Sequence, residues 1–144
     1  MSPVERRPTR WPSRWRSASP WVLAGVLAVA GTAHFTATRS YERIIPPVLP
    51  YPRALVYVSG LAELACAAGL GYRRTRRLAG WATAALFVAV FPANVQMALA
   101  ASGGSTGHRL ISWGRLPLQI PLVWWAAQVA RRSPGRRSSG RRAG

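Results

Sequence analysis

One carboxylate occupies a position where ionised groups are costly. Glu63 lies near the middle of the apolar run Val56–Tyr72, and the only other acidic residues of the chain are Glu5 and Glu42. An ionisable side chain at the centre of an apolar membrane span should face a protein interior and have a partner. A histidine at a compatible depth, such as His34, would allow the pair to transfer protons.

Four polar residues at similar predicted depth complete a candidate pocket around this carboxylate. Glu63 is the predicted base of the pocket and Arg115 its predicted counter-charge, while the walls are formed by His34, Asn94 and Gln119. Arg115 and Gln119 are four residues apart, so they share one helix face.

Three further residues are secondary candidates, namely Gln96, Pro92 and Pro117. Each proline should leave a backbone carbonyl one turn earlier without its helical hydrogen bond, which adds acceptors near the pocket. Asn94 and Gln96 lie about 200° apart around a helix, so only one of them can point straight at the pocket axis.

Each main candidate also has a purely structural interpretation. Glu63 can be neutralised by protonation, or it can pair with Arg115 to fix the helix register. Arg115 can instead extend toward lipid headgroups. His34 can be a hydrogen-bonded histidine at the membrane interface. The sequence leaves these alternatives open.

No known catalytic or metal-binding pattern accompanies these residues. The sequence has no Ser-His-Asp set, no metal-ligand spacing and no phosphate loop, so the catalytic residues stay unknown and no metal or iron–sulfur site is predicted. A haem with two histidine ligands would need both His34 and His108 on ordered spans, and His108 lies in a glycine-rich turn. The single Cys66 excludes an internal disulfide and a Cys-based zinc site.

The charge distribution is typical of a membrane protein. The chain has 144 residues and a formal net charge of +17, and all of its 20 cationic residues are Arg. A nucleic-acid-binding module would place basic and apolar residues on one face, whereas here the arginines lie between long apolar runs. We therefore expect a lipid bilayer as the partner, with anionic lipid headgroups at the Arg-rich tails, and no nucleic acid.

Four apolar runs are long enough to cross a membrane. They predict an all-α fold, a bundle of four transmembrane helices within residues 21–130, with spans at about 21–38, 54–71, 78–101 and 110–130. The Arg-rich segments 1–20 and 131–144 are predicted to be disordered cytoplasmic tails.

The arginine counts predict the orientation. The two tails contain five and six Arg and the loop between the second and third spans contains four, against three and one in the other two loops. The Arg-rich side should be cytoplasmic, so both termini lie inside and the protein is multi-pass in a bacterial inner membrane. The alternative is a cleaved signal sequence with a cleavage site at Ala28–Ala30, which would leave three spans.

The first loop, Arg39–Arg53, contains four prolines and four aliphatic residues. The prolines prevent the first helix from continuing through it. Such a loop either folds over the helix ends as a lid or lies along the membrane interface as a connector.

Five short motifs in order resemble the DoxX-like family of small four-helix bacterial membrane proteins. Over about residues 21 to 128 they are Ala33-His34-Phe35, Ile45–Pro50, Ser59–Leu64, Phe91–Val95 and Arg115–Gln119. This resemblance implies a four-helix membrane protein in a redox context. Its relatives include a quinone-reducing subunit of a thiosulfate-oxidising complex and a membrane partner of a mycobacterial oxidoreductase.

The resemblance and the pocket together give three functional hypotheses. The first is an accessory or quinone-interacting subunit of a membrane redox system, in which quinone is the ligand and Glu63 takes part in proton delivery. The second is a small-molecule or proton-coupled transporter, for which a homodimer would line the path. The third is a structural membrane scaffold whose polar cluster joins the helices. Whether the chain is an enzyme stays open.

Overall fold

The fold consists of four long helices that pack side by side. The computed structural model describes residues 13–103 and 105–133, and the side chains of residues 13–18 and of His108 lie outside that description. Within those ranges every regular element is helical, which confirms the all-α prediction. In chain order the helices are α1 (Ser13–Thr36), α2 (Thr38–Glu42), α3 (Pro52–Gly71), α4 (Arg76–Ala89), α5 (Phe91–Ala100) and α6 (Thr106–Arg132), with a 3-10 turn at Ala101–Gly103 between the last two.

The long helices coincide with the predicted apolar runs, but they begin before the predicted bounds, by two residues in α3 and α4 and by more in α1 and α6. Residues 13–20 were assigned to a disordered tail, yet they are helical. The indole Nε1 of Trp125 donates a hydrogen bond to Ser19 Oγ, so contact with α6 stabilises a segment whose composition favoured disorder. At the other end α6 continues to Arg132. The rest of the two predicted tails, residues 1–12 and 134–144, lies outside the described residues.

The inward face of α3 follows helical periodicity. Its buried residues recur every three or four positions, at Val56, Gly60, Glu63, Ala67 and Leu70 among others. Residues between them, such as Val58 and Leu61, are apolar and exposed. The helix therefore directs one mixed polar and small-residue stripe at its neighbours and, beyond Arg53 in its first turn, an apolar face outward.

The α1–α3 contact is closest at two glycines. A Cβ atom on Gly60 would come within 2.8 Å of His34 Cβ, and one on Gly31 would come within 2.9 Å of the Gly60 carbonyl oxygen. Real Cβ atoms do not approach other atoms this closely, so the two helices can cross here only because both positions lack a side chain.

Glycine also lies at the two other large helix contacts. A Cβ on Gly69 would lie 2.8 Å from Ala79 Cβ, where α3 meets α4. A Cβ on Gly80 would lie 2.8 Å from the Ala130 nitrogen, where α4 meets α6. The bundle is thus a chain of pairwise close approaches, α1 on α3, α3 on α4 and α4 on α6.

The third long helix is interrupted in its middle. It ends as α4 at Ala89 and resumes as α5 at Phe91, with Val90 between them. Pro92 lacks a backbone N–H and therefore cannot complete the hydrogen-bond ladder at this point. The predicted single span 78–101 is consequently two helical segments joined at Val90.

The two ends of the bundle differ. The buried apolar cluster lies at one end, which we call the core end; it comprises Leu23, Leu27, Cys66, Ala67, Leu70, Ala79, Ala84, Ala126 and Val129. These residues come from the middle of α1, the second half of α3, α4 and the second half of α6. The opposite end therefore brings together the C-terminal part of α1, the N-terminal parts of α3 and α6, and α5.

Two helices of the described chain are long and apolar enough to cross a membrane. They are Pro52–Gly71, which is α3, and the continuous helical stretch Arg76–Gly103, which contains α4 and α5. By this criterion the structure supports two of the four predicted spans, because α1 and α6 include more polar residues along their length.

The α1–α3 crossing gives the first prediction. We expect Gly60→Ala to lower the free energy of unfolding by about 1–3 kcal/mol, because the added methyl overlaps His34 Cβ and the Gly31 carbonyl oxygen. The measurement is thermal unfolding of the purified protein in detergent. Gly25→Ala is the matched control, since no atom lies within 4 Å of its added Cβ and it should lose no stability. Equal melting temperatures for the two variants would contradict the prediction.

Candidate functional site

A cavity of about 350 Å³ lies at the end of the bundle opposite the core end. Its wall includes all five main candidates named from the sequence, which are His34, Glu63, Asn94, Arg115 and Gln119. They come from α1, α3, α5 and α6, so residues up to 85 positions apart in the chain share one wall. The remaining lining is mostly apolar, with Ile44, Ile45, Leu118 and Leu122 among its members.

Glu63 lies against His34 at the base of this cavity. The Oε2 atom of Glu63 is 3.3 Å from His34 Nδ1, and both side chains are about 10% exposed. The Gly31–Gly60 crossing causes this proximity, because Gly60 lets α1 approach at the level of His34 and Glu63 follows Gly60 by nearly one turn. The partner of the carboxylate is therefore the histidine of the adjacent helix.

The hydrogen-bond geometry assigns the proton of this histidine. Nδ1 of His34 is 2.9 Å from the carbonyl oxygen of Ala30, which can only accept. We therefore assign the hydrogen to Nδ1, and in the neutral ring the other nitrogen, Nε2, is then an acceptor. Because Nδ1–H is directed at Ala30, it does not donate properly to Glu63.

The carboxylate is left with an unsatisfied oxygen. Glu63 is 8% exposed overall, and no donor in the described part of the chain makes a hydrogen bond to its buried Oε2. A buried acceptor without a donor costs about 1–3 kcal/mol, and more when it is charged. An O–H or N–H group that enters the cavity would remove this cost.

The end of α1 and the short helix α2 cover the histidine. Thr38 Oγ1 donates to the His34 carbonyl oxygen at 2.8 Å, which satisfies an acceptor exposed where α1 ends. The chain then turns so that the Tyr41 ring stacks on the His34 ring, with centroids 4.0 Å apart. A 3.6 Å ion pair between Glu42 and Arg53 joins α2 to the start of α3.

The proline-rich loop contributes to the same wall. Tyr41, Ile44 and Ile45 line the cavity, whereas Val48 and Tyr51 are highly exposed. Tyr51 adopts a left-handed conformation with φ of 55°, immediately before α3 begins at Pro52. The first part of the loop, up to Ile45, covers the cavity and favours the lid hypothesis. The second part, around Val48 and Tyr51, is exposed and favours an interfacial connector.

The opposite wall is joined by two side-chain amides. Asn94 Nδ2 donates to Gln119 Oε1 at 2.6 Å, and Gln119 Nε2 donates to the carbonyl oxygen of Phe87. Phe87 precedes the interruption at Val90, where the helical ladder is incomplete. Gln119 of α6 thus connects the end of α4 to α5. Pro92 was predicted to leave a carbonyl one turn earlier without its helical partner, and the Phe87 carbonyl that Gln119 binds lies close to that position.

Arg115 is not the counter-charge that the sequence suggested. It makes no ion pair with Glu63 within the described ranges; its side chain is exposed, and Nη1 lies 3.8 Å from Met97 Sδ. The close α1–α3 crossing gives Glu63 a nearer basic group, His34, whereas α6 packs mainly on α4 and α5. Arg115 remains part of the cavity wall.

The secondary candidates do not line the cavity. Gln96 is half-buried elsewhere on α5, as expected if Asn94 takes the inward position. Pro92 lies at the first turn of α5, and Pro117 lies inside α6 on an exposed face. The side chain of His108 falls outside the described residues. Sequence reasoning did not select Tyr41 for the site; its only signal was its position on a loop next to the His34 helix.

The chemistry available at this wall is hydrogen bonding and proton transfer. In the described residues no three His, Cys, Asp or Glu side chains come together. Glu63 Oε2 and His34 Nε2 offer acceptors from α1 and α3, whereas Asn94 and Arg115 offer donors from α5 and α6. The cavity therefore has an acceptor side and a donor side.

The amide link gives the second prediction. We expect Gln119→Leu to lower the free energy of unfolding by about 1–3 kcal/mol, because the Phe87 carbonyl and the Asn94 amide both lose their partner. A double-mutant cycle with Asn94→Leu, measured by thermal unfolding, should give a positive coupling energy. Gln96→Leu is the matched amide substitution and should show no coupling with Gln119→Leu. Additive effects of the Asn94 and Gln119 substitutions would contradict the link.

One family model matches the chain, and it covers the four long helices. No curated protein and no solved structure matches. The matching family carries another name than DoxX, so the resemblance of the motifs to the DoxX-like family stays a prediction. The match spans residues 23–130, more than half of the 144 residues, and the chain therefore belongs to the family described as Domain of unknown function (DUF8561).

Proposed function

We propose that the chain is a multi-pass protein of a bacterial inner membrane with four spans and cytoplasmic termini. Exposed apolar residues on α1 and α6 support the two additional spans. Val22, Val26 and Val29 follow one face of α1, and Ile120 and Trp124 follow one face of α6. At 24 and 27 residues these helices are about 36 and 40 Å long, enough to cross the hydrocarbon core.

The distribution of arginine supports the orientation. Arg73 and Arg74 lie between α3 and α4, Arg76 and Arg77 begin α4, and Arg131 and Arg132 end α6, so all six lie at the core end. Arg76 and Arg131 lie over the rings of Trp21 and Trp81, at 5.5 and 5.7 Å from guanidinium carbon to ring centroid. Arginine and tryptophan together are typical of the headgroup level, and an arginine-rich side is typically cytoplasmic. The cavity then lies in the outer half of the bundle.

The cavity binds the headgroup of a quinone or quinol. Its volume of about 350 Å³ is at the lower end of the range of about 300–1,000 Å³ common for small-molecule sites. The lining combines aliphatic side chains, which suit a ring with apolar substituents, with a few directed polar groups. Leu118 is both a lining residue and 58% exposed, which gives an isoprenoid chain a path along α6 toward lipid.

The unsatisfied oxygen of Glu63 is the observation that carries this proposal. A quinol hydroxyl can donate to Glu63 Oε2, while Asn94 or Arg115 can donate to the oxygen at the other side of the ring. When quinol is oxidised to quinone, two protons and two electrons leave it. Glu63 Oε2 and His34 Nε2, the two acceptors of this wall, are positioned to accept one proton each, and the two electrons pass to a partner oxidoreductase of the membrane redox system. The chain acts as the quinone-interacting subunit of that system.

The third prediction concerns quinone retention. We expect Glu63→Gln to reduce the quinone that co-purifies with the protein by about tenfold, because the amide cannot take up a proton and can present an N–H donor where the quinol hydroxyl needs an acceptor. Quinone is extracted from the purified protein and quantified by chromatography, and the affinity for a short-chain quinol is measured by titration. Glu42→Gln is the matched control, since Glu42 pairs with Arg53 and does not line the cavity.

Three results would contradict the quinone proposal. The first is equal quinone content and affinity in wild type and Glu63→Gln when both are folded. The second is that the protein binds no quinone and instead gives a pH-dependent flux of another solute in liposomes, which would favour a transporter. Loss of abundance in Glu63→Gln with no separable binding defect would favour a structural scaffold.

The fourth prediction tests the number of spans. In a Cys66→Ala background, Ser102→Cys should react with a membrane-impermeant maleimide in intact spheroplasts, whereas Arg74→Cys and Ser139→Cys should react only after permeabilisation. With only α3 and α4–α5 crossing, the C-terminus would lie on the side of Ser102, so labelling of Ser139→Cys in intact spheroplasts would contradict four spans.

A further inference from the structure

A second cavity, of about 160 Å³, lies at the core end of the bundle and is not part of the quinone site. Its lining residues are Ser19, Pro20, Arg73, Arg76, Val129, Arg132 and Ser133. They belong to the first half of α1, the turn between α3 and α4, the start of α4 and the end of α6. Three arginines from separate segments therefore meet at one small cavity.

These arginines have no acidic neighbour in the described part of the chain. Of the three carboxylates in the sequence, Glu42 pairs with Arg53 and Glu63 lies beside His34, both at the opposite end. Glu5 lies outside the described residues. Like charges held close together repel one another, so an anion bound between the three guanidinium groups would stabilise this arrangement.

Arg76 is already held in place for such a ligand. Its Nε donates to the Leu70 carbonyl oxygen at 2.7 Å and its Nη2 to the Gly71 carbonyl oxygen at 3.3 Å. The guanidinium also stacks on Trp21. A guanidinium has more N–H donors than these two bonds use, so the group is fixed and can still donate. Little side-chain entropy remains to be lost when a ligand binds.

A hydroxyl donor adds to the guanidinium groups. Ser19 Oγ accepts a hydrogen bond from Trp125 Nε1, so its own hydrogen is free to point to another acceptor. Ser133 Oγ donates to the Val129 carbonyl oxygen and can only accept further bonds. The volume is several times the share of about 30 Å³ that one water occupies in the liquid, which leaves room for a multi-atom anion.

We propose that this cavity is a binding site for a phosphate group. A phosphate offers several acceptor oxygens to converging guanidinium forks, and arginine is the residue that best matches this geometry. The cavity lies at the level of the exposed Trp21, next to the arginine-rich turn, so the phosphodiester of an anionic phospholipid can reach it. Inorganic phosphate has the same chemistry and is the alternative source.

The experiment uses the full-length protein in detergent. In one arm, native mass spectrometry measures binding of phosphatidylglycerol and of phosphatidylcholine with identical acyl chains. In the other arm, sodium phosphate is titrated at constant ionic strength and the melting temperature is followed. The test variant is Arg73→Gln with Arg132→Gln, both at exposed positions that leave the Arg76 bonds intact. The control is Arg74→Gln with Arg77→Gln, which removes equal charge but no lining residue.

We expect the test variant to lose affinity for phosphatidylglycerol by about tenfold or more and the control to lose less than about threefold. Competition by inorganic phosphate would support one shared site. Stabilisation by phosphate that only the test variant loses, without preference for phosphatidylglycerol, would support a soluble source. Equal losses in the two variants, or no anion preference in wild type, would overturn the proposal.

Discussion

The close approach of α1 and α3 at Gly31 and Gly60 determines the rest of the candidate site. The helices are too close at these positions for a side chain on either glycine. His34 of α1 therefore lies against α3 at Gly60, nearly one turn before Glu63. The same approach leaves the carboxylate with a neighbour that does not satisfy it, because the Nδ1 hydrogen of His34 is already directed at Ala30. The unsatisfied oxygen is therefore a consequence of backbone packing. The packing of these two helices therefore places the acceptor at the cavity wall.

The two ends of the bundle handle polar groups differently. At the core end the acceptors at the end of α3 are satisfied internally, for example Gly69 O by Thr75 Oγ1 and Leu70 O by Arg76 Nε. At the cavity end, Gln119 of α6 donates to the Phe87 carbonyl oxygen beside the interruption of the third long helix. Glu63 Oε2 has no donor. Among the buried side-chain polar atoms of the described residues, Glu63 Oε2 is the one without a hydrogen-bond partner, which makes it the preferred contact for an incoming donor.

The sequence predicted the helices and the members of the site better than it predicted their pairing. Apolar periodicity and chain breaks place four long helices, and alternating helix direction brings His34, Glu63, Asn94 and Gln119 to one level. Which residue contacts Glu63 depends on the distances between helices, which the sequence does not give. Gly60 allows α1 to approach α3 closely, so His34 contacts Glu63 and Arg115 does not. Composition gave the wrong prediction for residues 13–20. Their prolines and arginines favour disorder, yet the segment is helical and Trp125 of α6 donates a hydrogen bond to Ser19.

The separation of charge along the bundle connects the two cavities. In the described part of the chain, Arg73, Arg76 and Arg132 place positive charge at the core end, while the two carboxylates, Glu42 and Glu63, lie toward the opposite end. An anion would be stabilised in the arginine-lined cavity at the core end. It would not be stabilised beside Glu63 in the other cavity. A neutral hydrogen-bond donor, in contrast, can form a hydrogen bond with Glu63 Oε2 and finds few acceptors among the arginines. The same imbalance, which supports the proposed orientation in a membrane, would therefore make the two proposed sites select ligands of different charge, so that neither ligand competes for the site of the other.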